Sequence, residues 1–139
     1  MRILAIDFGL KRVGLALTDG LGMMAFPYKT IVRTTRDKLF AELSEILEKE
    51  NVTAIVLGLP LSLDGEETLI TRQVYNFKAS LARRTDLPIH YMDERLSSVE
   101  AEEQLKEVGL RRKKRKTVLD QQAAVRILES YLAQEKRDA

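Results

Sequence analysis

Ile3-Leu4-Ala5-Ile6-Asp7-Phe8-Gly9 stands near the start of the chain, and its reading decides the fold. The apolar run from Ile3 to Ile6 has no polar alternation. It predicts a strand buried on both faces and central in its sheet. Asp7 ends that strand, and a glycine turn follows at once. An acid in this position lies where the sheet opens to solvent. It costs stability unless a partner balances its charge. A metal ion is the partner this pattern predicts.

Working outward, residues 2–7 form the first strand. Val13 to Thr18 alternates large and small side chains and predicts a second. The turn at Gly9 is short, so the two pair antiparallel. Tyr28 to Val32, entered after Pro27, predicts a third strand of the same meander. From Asp37 the period changes, with Leu39, Phe40, Leu43, Ile46 and Leu47 at helical spacing. Thr53 to Leu59 reads as a strand again. Asp64-Gly65 signals a turn. A second helix then carries Ile70, Val74, Phe77 and Leu81 on one stripe. Ile89 to Met92 predicts a fifth strand, running into Asp93-Glu94-Arg95. Ser97 and Glu100 offer a capping box for a helix that ends near Gly109. A last helix spans about Val118 to Ala133. Strand–helix–strand alternation implies parallel pairing with right-handed crossovers. The expected fold is α/β: a mixed five-stranded sheet, made of an antiparallel three-strand meander and two parallel strands, flanked by helices.

The 139 residues suit one domain, 1–139, with a real core. The absence of cysteine excludes a disulfide framework and a thiolate metal site. There is no basic leader, and no apolar stretch approaches the ~20 residues of a membrane helix. A cytoplasmic setting without membrane contact is the expectation. Net charge is only +2, yet Arg111-Arg112-Lys113-Lys114-Arg115-Lys116 is an unbroken basic run, read here as a loop between the last two helices. Such a segment on a nearly neutral protein predicts contact with a polyanion. Lys11-Arg12 and Arg83-Arg84 add smaller basic pairs. Lys11 and Arg12 are placed to hold a substrate phosphate. Pairing of Arg12 with an acid across the sheet is an equal alternative.

Two further acids complete the pattern. Asp120 lies three and four residues before Ala123 and Ala124, on the stripe that continues through Ile127, Leu128 and Tyr131. It therefore points toward the sheet. Glu94 stands at the carboxyl end of the fifth strand, where open sheets of this kind collect ligands. Strand alternation admits only one of Asp93 and Glu94 to that site, with Glu94 favoured and Asp93 the alternate. Three converging acids repel one another, and a divalent cation resolves the conflict. Oxygen-only ligands suit Mg²⁺ or Mn²⁺. One or two ions fit, and two would stand ~4 Å apart with Asp7 between them. His90 reads as a packed structural residue. The loop from Gly58 to Gly65 brings backbone N–H groups toward the second helix, either for a phosphate or as a plain turn.

Asp7-Phe8-Gly9-x-x-Arg12-Val13-Gly14, Gly58-Leu59-Pro60 with Asp64-Gly65, Asp93-Glu94-Arg95-Leu96-Ser97-Ser98, and Asp120-x-x-Ala123-Ala124 together resemble the YqgF family, also called RuvX. The likeness runs in order along essentially the whole chain. It implies a ribonuclease H-like fold and a nuclease that matures the 5′ end of the 16S ribosomal RNA precursor. The partner it implies is that precursor or a pre-ribosomal particle. Two alternatives stay open: a Holliday junction resolvase acting on branched DNA, and a non-catalytic RNA-binding assembly factor. Carried over by the resemblance, Asp7, Glu94 and Asp120 are the catalytic, metal-binding acids. One departure matters. Junction resolvases of the RuvC type place their second acid after the fourth strand, where this chain has Gly58-Leu59-Pro60.

Overall fold

Strand β1 (Arg2–Phe8) lies at the centre of a five-stranded sheet of order β3-β2-β1-β4-β5. The structure is a computed structural model. It describes residues 1–62, 64–93 and 112–138, with the side chains of 112–119, 137 and 138 left aside. The other strands are β2 (Arg12–Thr18), β3 (Ala25–Val32), β4 (Val52–Leu59) and β5 (Ile89–Asp93). The described helices are α1 (Arg36–Lys49), α2 (Leu69–Ala82) and α3 (Arg112–Asp138).

The expected pairing is observed. β1 runs antiparallel to β2, and β2 antiparallel to β3. β1 runs parallel to β4, and β4 parallel to β5. Strand β3 starts earlier than expected and includes Pro27. Proline is tolerated because β3 is an edge strand, and the register shifts between Leu15 and Ala16 beside it.

Side-chain alternation splits the core into two layers. Leu4, Ile6 and Phe8 of β1 pack with Leu39, Phe40 and Leu43 of α1 and with Val74, Phe77 and Leu81 of α2. Ile3 and Ala5 of β1, Ala16 of β2 and Val56 of β4 pack with Ala124, Ile127 and Leu128 of α3. Helices α1 and α2 therefore cover one face of the sheet, and α3 covers the other.

The last helix corrects one expectation. Residues 112–116 of the basic run are not a loop but the opening turns of α3, which runs on to Asp138 instead of spanning Val118 to Ala133. Arginine and lysine are good helix formers, and neither glycine nor proline interrupts the chain from residue 112 onward. Helix propensity, not charge density, decides the backbone of residues 112–116. Arg111, Glu94 and the helix expected from Ser97 to Gly109 lie outside the described residues.

Candidate active site

Two of the three expected acids meet at the carboxyl end of β1, on the α3 face. Asp7 follows Ile3 and Ala5 by the two-residue period, so it shares their α3-facing side. Its partner across the β1–β2 pair is Gly14. Asp120 arrives at the same spot from α3. A Cβ built on Gly14 would stand 2.1 Å from the carbonyl oxygen of Asp120 and 3.0 Å from its Cβ. Only the missing side chain of Gly14 lets the helix come so near. Gly14 thus lies between the Asp7 backbone beside it and the Asp120 backbone above it.

The sequence signals this approach through Ala123 and Ala124, and Gly14 on the strand beneath completes it. Gly14 and Ala16 are the small side chains of β2, and Ala123 and Ala124 are the small side chains of α3. Ala16 and Ala124 are fully buried in the same core cluster. Small residues on both surfaces allow a close helix-to-sheet fit.

Asp120 has a protein counter-charge. Arg12 Nε donates to Asp120 Oδ2 at 2.6 Å, and both side chains are partly exposed, at 30% and 21%. Of the two readings offered for Arg12, the structure shows the pairing. Beside that pair lies an open cavity of about 340 Å³ lined by Gly9, Leu10, Lys11, Arg12 and Asp120. Lys11 is exposed at its rim. Gln121, next to Asp120, donates through Nε2 to Thr30 Oγ1 at 3.1 Å, which ties this part of α3 to β3.

Strand β5 bears on the choice between Asp93 and Glu94. His90 stacks on Tyr131 of α3 with ring centroids 5.5 Å apart, and Met92 packs into the α3-side cluster. Ile89 and Tyr91 pack against the opposite cluster. The same alternation puts Asp93 on the α1–α2 face, away from Asp7 and Asp120. His90 is exposed on this edge strand, and its packing role is that stack on Tyr131. Gly58 of β4 pairs with Met92 and contributes no side chain on the α3 side.

Among the described residues, no three of His, Cys, Asp and Glu stand together closely enough to hold a metal ion. Asp7 and Asp120 supply hard oxygen donors, the chemistry that suits Mg²⁺ or Mn²⁺. The expected third donor lies beyond the described part of β5. Before α2, the backbone N–H of Ser62 donates to Glu66 O at 3.0 Å. The start of α2 is closed by its own capping box. Thr68 accepts from Thr71 N–H, and Thr71 Oγ1 accepts from Thr68 N–H at 2.9 Å.

Comparison with known proteins agrees with this architecture. The family model described as RuvX, Holliday junction resolvase, matches residues 1–134. A protein of Maridesulfovibrio salexigens named "Putative pre-16S rRNA nuclease" is 65% identical, over 96% of this chain and 98% of its own length. A protein of the same name from Lachnospira eligens is 44% identical, over 99% of this chain and 100% of its own. Among solved structures, Thermus thermophilus RuvC superposes with a TM-score of 0.58 at 12% identity, covering 98% of this chain and 97% of that one. The fowlpox virus Holliday junction resolvase gives 0.59 at 11% identity, covering 96% and 99%. The fold is therefore ribonuclease H-like. Family match and close relatives both extend over nearly all of the sequence, and on that ground the chain belongs to the RuvX family.

Proposed function

We propose that this protein is a metal-dependent nuclease that hydrolyses phosphodiester bonds in RNA, with the 16S ribosomal RNA precursor as its substrate and maturation of the 5′ end as its task. The observation that carries the reading is the convergence of Asp7 and Asp120 about Gly14, at the carboxyl end of β1. The names of the close relatives support RNA as the substrate.

Asp7, Asp120 and Glu94 are the residues that would hold the metal. The alternation that turns His90 and Met92 toward α3 supports Glu94 over Asp93 as the third of them. When bound, Mg²⁺ or Mn²⁺ activates a water and stabilises the leaving oxygen of the phosphodiester. The rest is the work of the chain. Gly14 sets the distance between helix and sheet. Arg12 holds the Asp120 carboxylate in place through its Nε–H. The backbone of residues 112–116 is helical, so five cationic residues sit at the positive end of a helix dipole. A phosphate backbone there relieves both charges at once. Lys116 precedes Asp120 by one turn, so grip and chemistry belong to one helix.

The test is metal-dependent cleavage of a 16S precursor by wild type and by Asp7→Asn. The expected result is cleavage by the wild type alone. Equal cleavage by both proteins sinks the site. A second reading, resolution of branched DNA, is favoured by the description of the matching family model. Two symmetric incisions need two active sites. A protein that stays monomeric in sedimentation while bound to a four-way junction rules that reading out.

A further inference from the structure

The opposite face of the same sheet edge carries a second basic feature. A groove of about 470 Å³ runs between α1 and α2, and Arg33, Arg36 and Arg83 line it together with Phe8, Phe40 and Phe77. Its other polar lining residues are Gln73, Asn76 and Ser80, and no carboxylate lines it. Among the described residues, none of the three arginines forms an ion pair.

The guanidinium groups are held in place by neutral groups. Ser80 Oγ, on a residue only 3% exposed, accepts from Arg36 Nη2 at 2.6 Å and from Arg83 Nη2 at 3.2 Å. Arg33 Nη1 donates to the carbonyls of Gly9 at 2.8 Å and Leu10 at 2.9 Å. Its guanidinium carbon lies 4.3 Å from the ring centre of Phe8. Each guanidinium has five N–H donors in a planar fork, so these contacts leave donors over. Like charges gathered without a carboxylate repel one another, and an anion in the groove removes that cost.

Phosphate fits this lining better than a nucleobase does. Phe8, Phe40 and Phe77 are 5% exposed or less: Phe77 stacks on both of the others, Arg33 lies over Phe8, and Arg84, outside the groove lining, lies over Phe40. No aromatic face is open for a base to stack on. Planar forks without carboxylates are the usual partners of phosphate oxygens.

Position names the source of the phosphates. Asp7 and Phe8 are consecutive in β1, so their side chains leave the strand on opposite faces. The groove and the acids therefore open at one edge, separated by the turn of residues 9–11. Arg33 grips that turn from the groove side, and the cavity beside Arg12 and Asp120 opens on the other. We infer that the groove of Arg33, Arg36 and Arg83 binds backbone phosphates of the same polynucleotide strand that reaches Asp7, after the strand has crossed the turn. This inference rests on the nuclease reading above.

Fluorescence anisotropy of a labelled single-stranded RNA tests it, in an Asp7→Asn background that keeps the strand intact. Arg33, Arg36 and Arg83 are changed together to Gln, and separately to Lys. For single strands each phosphate contact contributes about 0.7 to the salt slope of log affinity, so the Gln variant should lose about 2 from that slope. Its affinity at low salt should fall about tenfold or more. The Lys variant should keep most of the slope. If the triple variant melts early by circular dichroism, exposed Arg83→Gln alone carries the test, with an expected loss of about 0.7. Unchanged affinity and slope in the Gln variant overturn the groove and leave the nuclease reading intact. Binding of a branched DNA probe but not of RNA, with the same loss in the Gln variant, upholds the groove and sinks the RNA reading. Inorganic phosphate that binds the groove while neither polynucleotide does overturns the proposal in favour of a free-anion site.

Discussion

Gly14 of β2 lies directly under the backbone of Asp120, with room for a hydrogen atom and nothing larger. A methyl group there would meet backbone, at 2.1 Å from the carbonyl oxygen and 2.4 Å from the carbonyl carbon. Backbone in the third turn of a 27-residue helix cannot swing aside as a side-chain tip can. Gly14→Ala should therefore lift α3 from the sheet and cost about 1–3 kcal/mol, the usual range for overpacking. Urea denaturation reads the stability, and cleavage of the RNA precursor reads the displaced acid. Wild-type values in both would show that the contact relaxes freely.

The ion pair between Arg12 and Asp120 invites a double-mutant cycle. Both side chains are partly exposed, so solvent screens the pair in spite of its short distance. Arg12→Gln with Asp120→Asn should give a coupling of about 1 kcal/mol in urea denaturation. Arg12→Gln also frees an oxygen of Asp120 from a competing cation. The Mn²⁺ concentration needed for half-maximal cleavage should then fall. A rise in that concentration would mean that Arg12 orders the site more than it competes for it.

Asp93 and Glu94 should differ sharply on substitution. Asp93 lies on the α1–α2 side of β5, so Asp93→Asn should keep cleavage within a few-fold of wild type. Glu94→Gln should lower it by roughly 10²-fold or more, the scale of losing one electrostatic contact to the reacting group. Single-turnover cleavage measures both. The reverse result would move the third corner of the site to Asp93.

The turn before β3 should respond to acid. Asp19 Oδ1 accepts from Met23 N–H at 2.8 Å and from Met24 N–H at 3.3 Å. These bonds hold its pKa below the ordinary value of 3.8. A carboxylate with a depressed folded pKa stabilises above its unfolded value, and that contribution is lost as pH falls through the folded one. The gap in melting temperature between wild type and Asp19→Ala should be fully open near neutral pH and narrow as pH drops below 3.8. A gap that does not change with pH would refute the charge-assisted role.

Much of the architecture was legible because periodicity is local. The unbroken run from Ile3 to Ile6 marked the central strand, and the change of period after Asp37 marked a helix. The stripe through Ala123, Ala124 and Ile127 turned Asp120 toward the sheet, where its backbone and Cβ lie against Gly14. What failed or stayed hidden was not local. Residues 112–116 read as a loop in the sequence, because charge dominates composition while backbone preference in Lys and Arg is helical. Arg12 and Asp120 are 108 residues apart, and no spacing rule joins them. Arg33, Arg36 and Arg83 come from the end of β3, the start of α1 and the end of α2. Only the sheet order collects them into one groove.

Helix α3 extends roughly 40 Å at 1.5 Å per residue, and it is a single rod from the basic run to Asp138. A rod has few ways to move. Because Gly14 lies under the Asp120 backbone, a pull on the cationic end would turn the rod about that contact and rotate the Asp120 side chain with it. On the proposed function, substrate grip and acid placement would then be one mechanical variable, not separately tunable by altering charges near residue 112. An engineer who wants a different target should transplant the whole helix together with the strand surface beneath it. Natural variation in target choice would leave the same mark: paired changes at the head of α3 and on β2, inherited as a unit.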